Sequence, residues 1–89
     1  MLEGLENQIV ESIRQNPATA YISSELSSYE RLLVHAASSY NNLYSRSFDE
    51  NGKRILVVQY RNKKKPFYPV DPSLSKYLSI RNQKMGNMQ

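Results

Sequence analysis

Apolar residues recur at helical spacing over the first part of the chain. Residues 2–16 read as an amphipathic helix with its apolar positions on one side: Leu2, Leu5, Ile9 and Ile13. Its charged residues fall mostly on the other side: Glu3, Glu6, Glu11 and Arg14. Asn16-Pro17 ends the helix, because proline biases the preceding residue away from the helical conformation. Residues 18–23 then alternate between polar and apolar, which predicts a short strand.

A second helix is predicted over residues 28–41. Ser27 and Glu30 have the spacing of a capping box, in which each side chain accepts a hydrogen bond from the other residue's backbone N–H, so the helix should begin at Ser28. We expect its inward stripe to contain Leu32 or Leu33, with Ala36, Ala37 and Tyr40.

A β-hairpin follows this helix. Residues 43–48 and 54–61 read as strands, and Asp49-Glu50-Asn51-Gly52 between them is a strong turn signal. The pattern therefore predicts an α+β fold: a small α-β-α-β-β domain whose three-stranded, mainly antiparallel sheet carries two helices on one face. The open face cannot be wholly polar, because the last strand has apolar residues on both faces: Leu56, Val58 and Tyr60 on one, Ile55 and Val57 on the other.

The composition changes after Asn62. We place the domain at residues 1–62 and a basic, proline-containing C-terminal extension at residues 63–89. Pro66, Pro69 and Pro72 exclude a central strand. Asp71-Pro72 is a candidate cap for a short helix over residues 72–82.

The net charge of +4 is unevenly distributed. Residues 1–35 hold two basic and five acidic side chains, whereas residues 36–89 hold ten basic and three acidic. Such asymmetry predicts a polyanionic partner on one side of the domain. For the run Lys63-Lys64-Lys65, a solvated tail and a nuclear-localisation signal are alternative interpretations.

Composition also excludes several classes of site. The chain has no cysteine and a single histidine, so we expect no disulfide, no zinc site and no cofactor. No apolar run approaches the roughly 20 residues of a membrane span, and the N-terminus lacks a signal-peptide pattern. We therefore expect a monomeric intracellular protein, nuclear or cytoplasmic, without a membrane contact.

The second helix carries the best candidate chemistry. Arg31 and His35 lie four residues apart and so share one helical face. An arginine fork and an imidazole near a helix N-terminus are suited to binding phosphate. The alternatives involve no ligand. Arg31 could form a structural ion pair, and His35 could be a surface imidazole that hydrogen-bonds a glutamate or a backbone carbonyl.

The order of these features resembles the R-three-H domain family. A capped helix carries Arg31-Leu32-Leu33-Val34-His35, and Asp49 to Arg54 then leads into Ile55-Leu56-Val57-Val58. The resemblance covers residues 2–61. The chain departs from the family pattern in two places: it lacks prolines before the motif helix, and it has Asn41-Asn42 where a glycine commonly ends that helix. It implies a small α/β module that binds single-stranded nucleic acid, as one part of a larger RNA- or DNA-handling protein. Arg31, His35 and Arg54 match the family's basic positions.

The leading hypothesis is a non-catalytic module that binds single-stranded RNA or DNA through phosphate contacts. Its candidate binding residues are Arg31, His35, Lys53, Arg54, Arg61, Lys63, Lys64 and Lys65, with Tyr29 and Tyr60 as stacking platforms. The alternative is a protein-interaction domain that uses the tail helix or the open sheet face. An enzyme is the weakest hypothesis, because the sequence offers no catalytic triad, paired carboxylates or glycine-rich phosphate loop.

Overall fold

A three-stranded sheet and three helices make up the described part of the chain. The computed structural model describes residues 1–62 and 64–87, the last four by their backbone alone. The elements, in chain order, are α1 (Leu2–Gln15), β1 (Tyr21–Ser23), α2 (Ser28–Tyr40), β2 (Tyr44–Glu50), β3 (Lys53–Gln59) and α3 (Leu74–Asn87). The strands lie in the order β1-β3-β2, and both pairings are antiparallel. The predicted α+β fold with its antiparallel sheet is confirmed.

The hairpin between β2 and β3 closes through a two-residue loop. Asn51 and Gly52 have φ values of 51° and 78°, which is the left-handed conformation that a tight hairpin turn requires at both positions. The strands pair without a gap from Glu50 opposite Lys53 to Tyr44 opposite Gln59. The turn is therefore shorter, and β2 extends two residues further, than the sequence pattern predicts.

The hydrophobic core lies between one face of the sheet and helices α1 and α2. Leu56 and Val58 of the middle strand have no exposed surface, and they belong to one cluster with Ile9, Ile13 and Val34. Val57 points to the other face, yet it is also buried because it sits in the middle strand with neighbours on both sides. The open face therefore has an apolar centre, as the alternation on this strand predicts.

The buried stripe of α2 differs from the predicted one. Val34, Ala37 and Ser38 are buried, whereas Leu32 is 63% exposed and Ala36 also faces solvent. The three buried positions have the i, i+3, i+4 spacing of one helical face, and Leu33 packs beside them. A serine is tolerated in this stripe because Ser38 Oγ donates a hydrogen bond to the carbonyl of Val34 at 2.7 Å.

An asparagine ends α2 where a glycine is usual. Asn42 adopts the left-handed conformation, with φ of 60°. Its N–H donates to the carbonyl of Ser39, and the N–H of Leu43 donates to that of Ser38 at 2.8 Å. This pair of bonds is the Schellman motif, which satisfies carbonyls at the helix end and turns the chain into β2.

Glu6 is the main departure from the amphipathic pattern of α1. Although the pattern places it on the polar side, its side chain is only 1% exposed. The carboxylate accepts hydrogen bonds from Asn41 Nδ2 at 2.9 Å and from the backbone N–H groups of Leu74 and Ser75 at 2.9 and 3.1 Å. Burial of a charge is costly unless it is hydrogen-bonded, and these three donors satisfy that condition.

The C-terminal segment packs on the rest of the chain. Phe67 is buried in the core cluster, Tyr40 donates its hydroxyl to the carbonyl of Pro72 at 2.6 Å, and Val70 donates its N–H to Asn41 Oδ1. The helix begins at Leu74 rather than at Pro72, and Ser73 caps it by accepting from the N–H of Lys76. The domain boundary at residue 62 stays a prediction.

We predict that Glu6→Gln lowers the free energy of unfolding by about 1–3 kcal/mol, because a buried amide cannot replace a carboxylate that accepts three hydrogen bonds. The loss should be accompanied by faster amide hydrogen exchange at the start of α3. Urea denaturation and hydrogen-exchange mass spectrometry measure the two effects. Glu25→Gln is the matched control, since Glu25 is exposed in the loop before α2. Equal stability of the two variants would contradict the role given to Glu6.

Candidate nucleic-acid interface

The N-terminus of α2 is fixed by a complete capping box. Ser27 Oγ accepts from the N–H of Glu30 at 3.1 Å, and Glu30 Oε1 accepts from the N–H of Ser27 at 2.9 Å. The backbone hydrogen bond from Ser27, followed by its hydroxyl, lowers the pKa of Glu30 below its usual value of 4.5. The capping box and the helix start at Ser28 are confirmed.

Arg31 folds back over this helix terminus. Its Nη1 donates to the carbonyl of Leu26 at 2.8 Å and its Nη2 to Ser28 Oγ at 3.2 Å. A guanidinium group has five N–H donors, so three remain for other acceptors. Arg31 therefore holds the segment that enters α2 and still presents a positive charge beside the N-terminus of the helix.

His35 joins α2 to the edge strand β2. Its Nδ1 lies 2.6 Å from Ser45 Oγ and its Nε2 lies 3.1 Å from Ser47 Oγ. Both serines are on the helix-facing side of β2, because they pair with Val58 and Leu56 of the core. With both ring nitrogens engaged, the imidazole is held between the helix and the sheet, and the two hydroxyls are fixed at its rim.

Arg54 continues the same face on the hairpin. It pairs in register with Asp49, two positions beyond Ser47, and its Nη1 lies 3.3 Å from Asp49 Oδ1 in an ion pair with both side chains well exposed. The tight turn after α2 makes β2 run antiparallel to the helix. One helical turn, about 6 Å, separates Arg31 from His35, which corresponds to about two residues along the strand. Arg31 is therefore displaced from His35 toward the hairpin end of β2, the end at which Arg54 lies.

These residues define the motif face, which consists of Arg31, His35, Ser45, Ser47 and Arg54. Its two arginines belong to different elements, Arg31 to α2 and Arg54 to β3. Exposed ion pairs such as that of Arg54 and Asp49 contribute little stability, about 0–1 kcal/mol, so Arg54 can exchange its partner for another anion. The face is thus suited to hold phosphate groups.

The remaining basic candidates lie elsewhere. Lys53 and Arg61 alternate with Arg54 along the strand direction and so belong to the opposite side of the sheet. The guanidinium of Arg61 stacks over the ring of Tyr44, with 3.5 Å from Cζ to the ring centroid. Lys64 and Lys65 are exposed beside the loop at residues 16–18, and Lys63 lies outside the described residues.

The two tyrosine candidates differ in their surroundings. Tyr29 is 61% exposed, but it lies two residues before Arg31 and therefore on the other side of α2. Tyr60 is half-buried, packs on Phe67 with ring centroids 5.3 Å apart and donates its hydroxyl to the carbonyl of Pro66. Its ring is partly buried and packs against the core cluster.

Sequence reasoning missed the hydroxyl partners of the histidine. Ser45 and Ser47 alternate within β2, so the pattern indicates that they share a face, but only the pairing with β3 shows that this face is toward α2. The same alternation places Tyr44, Arg46 and Phe48 together on the other side of the sheet.

Comparison with known proteins agrees with this geometry. Residues 1–60 match the family model of the R-three-H domain. The match covers more than half of the chain, and the chain belongs to this family, whose domain is generally a nucleic-acid-binding module. No solved structure matches the chain significantly. In the described part of the chain, no helix is long and apolar enough to cross a membrane.

We predict that the capping box makes stability depend on acid pH. The pKa of Glu30 is lowered in the folded state, so its contribution is complete above about pH 4.5 and is lost as pH falls through the lower folded-state value. Wild type should therefore exceed Glu30→Gln in stability at pH 7, and the difference should shrink below pH 4.5. Urea denaturation at several pH values measures it, with Glu25→Gln as the exposed control. A difference that stays constant would contradict the capping role.

We also predict that His35 and Ser45 are energetically coupled. In a double-mutant cycle of His35→Ala and Ser45→Ala, the coupling energy should be about 0.5–3 kcal/mol, as for residues in one hydrogen-bond network. The free energy of unfolding from urea titrations gives this value. As the control, Ser24→Ala changes an exposed residue in the loop before α2. Its effect on the free energy of unfolding should add to that of His35→Ala without a coupling energy. Additive behaviour of the His35 and Ser45 pair would exclude the hydrogen bond as a stabilising interaction.

Proposed function

We propose that this domain binds single-stranded nucleic acid through the motif face. The supporting observation is that Arg31 keeps three guanidinium donors after its own contacts, while His35 ties the same helix to the strand β2, whose helix-facing side continues to Arg54. Two guanidinium groups on one face can bind phosphates of the same strand. Phosphate contacts position a strand without reading its bases, so little sequence preference is expected on this face.

His35 acts in this proposal as a positioning residue. Since its two nitrogens hold Ser45 and Ser47, a direct contact between the ring and a phosphate would require one of these hydrogen bonds to break. A neutral imidazole donates from one nitrogen and accepts at the other, so the serine that accepts from the ring keeps its own hydroxyl proton to donate to a phosphate oxygen. In this proposal Arg31 supplies charge, and His35 orients a neutral hydroxyl donor on the edge strand.

Further cations can extend the path of the strand. Lys53 lies at the hairpin loop next to Arg54, and Lys64 and Lys65 are exposed on the C-terminal segment. Their contribution would be long-range and screened by salt, because none of them belongs to the motif face. We retain Lys63 with this run on sequence grounds alone.

A protein partner is the second candidate. Helix α3 leaves apolar side chains partly exposed, namely Tyr77, Leu78 and Ile80 at 45%, 37% and 39%, and Tyr68 before it is 78% exposed. These residues are remote in sequence from the motif face, so a protein contact there is compatible with nucleic-acid binding.

The test is the affinity of Arg31→Ala for a fluorescent single-stranded oligonucleotide over a series of salt concentrations. We expect binding to weaken by about 1–3 kcal/mol, as for the loss of charge-assisted hydrogen bonds, and the slope of log affinity against log salt to fall by roughly 0.7. Arg31→Lys should keep the slope but recover only part of the affinity, since a lysine lacks the planar fork.

Arg14→Ala is the matched control, because Arg14 is an exposed residue of α1 paired with Glu11. Each variant is compared only where circular dichroism shows that it is folded, since Arg31 also holds the entry to α2. If folded Arg31→Ala bound like Arg14→Ala and wild type, the motif face would not be the binding site. A duplex that binds as tightly as the single strand would overturn the single-strand assignment.

A further inference from the structure

The side of the sheet opposite α1 and α2 carries an arrangement of rings and arginines that the motif face does not explain. We call it the outer sheet face and define it by Ile22, Tyr44, Arg46, Phe48, Val57 and Arg61. The strand register places Ile22, Tyr44, Arg46 and Phe48 on this side, because each pairs with an outward-facing residue of β3 such as Val57, and Arg61, just after β3, lies over the Tyr44 ring. In the described part of the chain, the core helices pack against the other side.

Two cation–ring pairs cover the β2 side of this face. The guanidinium carbon of Arg61 lies 3.5 Å from the centre of the Tyr44 ring, and that of Arg46 lies 5.1 Å from the centre of the Phe48 ring. Beside them, Val57 forms an apolar floor and Ile22 is 64% exposed. The face thus combines aromatic rings, planar cations and an apolar floor.

We propose that the outer sheet face is a second contact surface, which stacks unpaired bases of the same nucleic-acid strand. Bases stack on aromatic rings and on guanidinium planes, and every base has the flat surface that this requires. The arginines would at the same time attract the phosphates of the strand. A purely apolar protein surface matches this face less well, because it would desolvate two guanidinium groups without supplying anions.

The charge on this face favours the same occupant. Its charged residues, Arg46 and Arg61, are both basic, and at the hairpin end of the same side of the sheet Lys53 lies opposite Glu50. The two rings are four residues apart on one side of β2, which corresponds to about 14 Å along the strand. A single extended nucleic-acid strand that follows β2 therefore meets both rings.

The two surfaces are connected by the free edge of the sheet. Strand β2 is an edge strand, so its odd positions Ser45 and Ser47 serve the motif face while its even positions serve the outer sheet face. A strand held by its phosphates on the motif face needs only to cross this edge to place its bases on the rings. The inference rests on the proposed function, to which it adds a site for the bases.

The experiment compares wild type, Tyr44→Leu and Phe48→Leu in binding to two fluorescein-labelled probes of equal length and charge. One probe is oligothymidylate, and the other is an abasic sugar-phosphate strand. Wild type should prefer the base-containing probe, and each substitution should weaken its binding about tenfold while leaving affinity for the abasic probe unchanged. Tyr68→Leu, which removes a tyrosine that is 78% exposed in the C-terminal segment, should bind both probes like wild type.

Methyl NMR of unmutated protein gives a measurement that does not depend on the folding of a variant. Oligothymidylate should shift the methyl signals of Val57 and Ile22 through the ring currents of stacked bases, and the abasic probe should not. Leu56 and Val58, which face the core, serve as the internal reference.

The outcomes separate this inference from the proposed function. If wild type binds both probes equally and Tyr44→Leu changes neither, while Arg31→Ala weakens both, the outer sheet face is not a base-stacking surface and the motif face remains the binding site. Failure of wild type to bind either probe would overturn both. Self-association in analytical ultracentrifugation that Tyr44→Leu abolishes, without any change in oligonucleotide binding, would assign the face to a second copy of the chain and overturn base stacking.

Discussion

The buried carboxylate of Glu6 is the interaction on which the arrangement of the helices depends. It lies on the first helix, yet it accepts from Asn41 at the end of the second and from the first two backbone N–H groups of the third. Asn41 in turn binds the carbonyl of Ala37 and the N–H of Val70. One carboxylate at the N-terminus of the third helix therefore adds to the apolar contacts between the first two helices, and it links α1 to segments 35 and 68 residues away in sequence.

Local chemistry in the sequence determines most of the elements. The capping box, the two-residue turn and the apolar alternation of β3 act over a few residues, so their positions follow from the sequence with small errors at the ends. The inward stripe of α2 was only partly predicted, because several rotations of the helix bury a comparable apolar surface and packing selects Val34. The burial of Glu6 could not be predicted, since its donors are supplied by distant segments.

The candidate site shows the same division between local and distant information. Arg31 and His35 are recognisable from their spacing and from the family pattern. Their hydrogen bonds also give the motif a structural role, since Arg31 holds the segment that enters α2 and His35 joins α2 to β2. A count of charge does not separate the cations of the two sheet faces, and the alternation separates Lys53 from Arg54 only once the strand is known to begin at Lys53. The register of β3 makes that separation, with Arg54 on one side and Lys53 on the other.

The hairpin loop does more than reverse the direction of the chain, because it also fixes the register of β2. Hydroxyl and aromatic side chains alternate along β2, so the pairing register decides which of them face the helices. A slip by one residue would turn Tyr44 and Phe48 toward the helices and Ser45 and Ser47 toward solvent. Asn51 and Gly52 exclude that slip, because a two-residue loop with both residues left-handed admits a single pairing of the strands. Two small residues at the tip of the hairpin thus decide the chemistry of surfaces they do not touch, and an inserted residue there would exchange the inside of the edge strand for its outside.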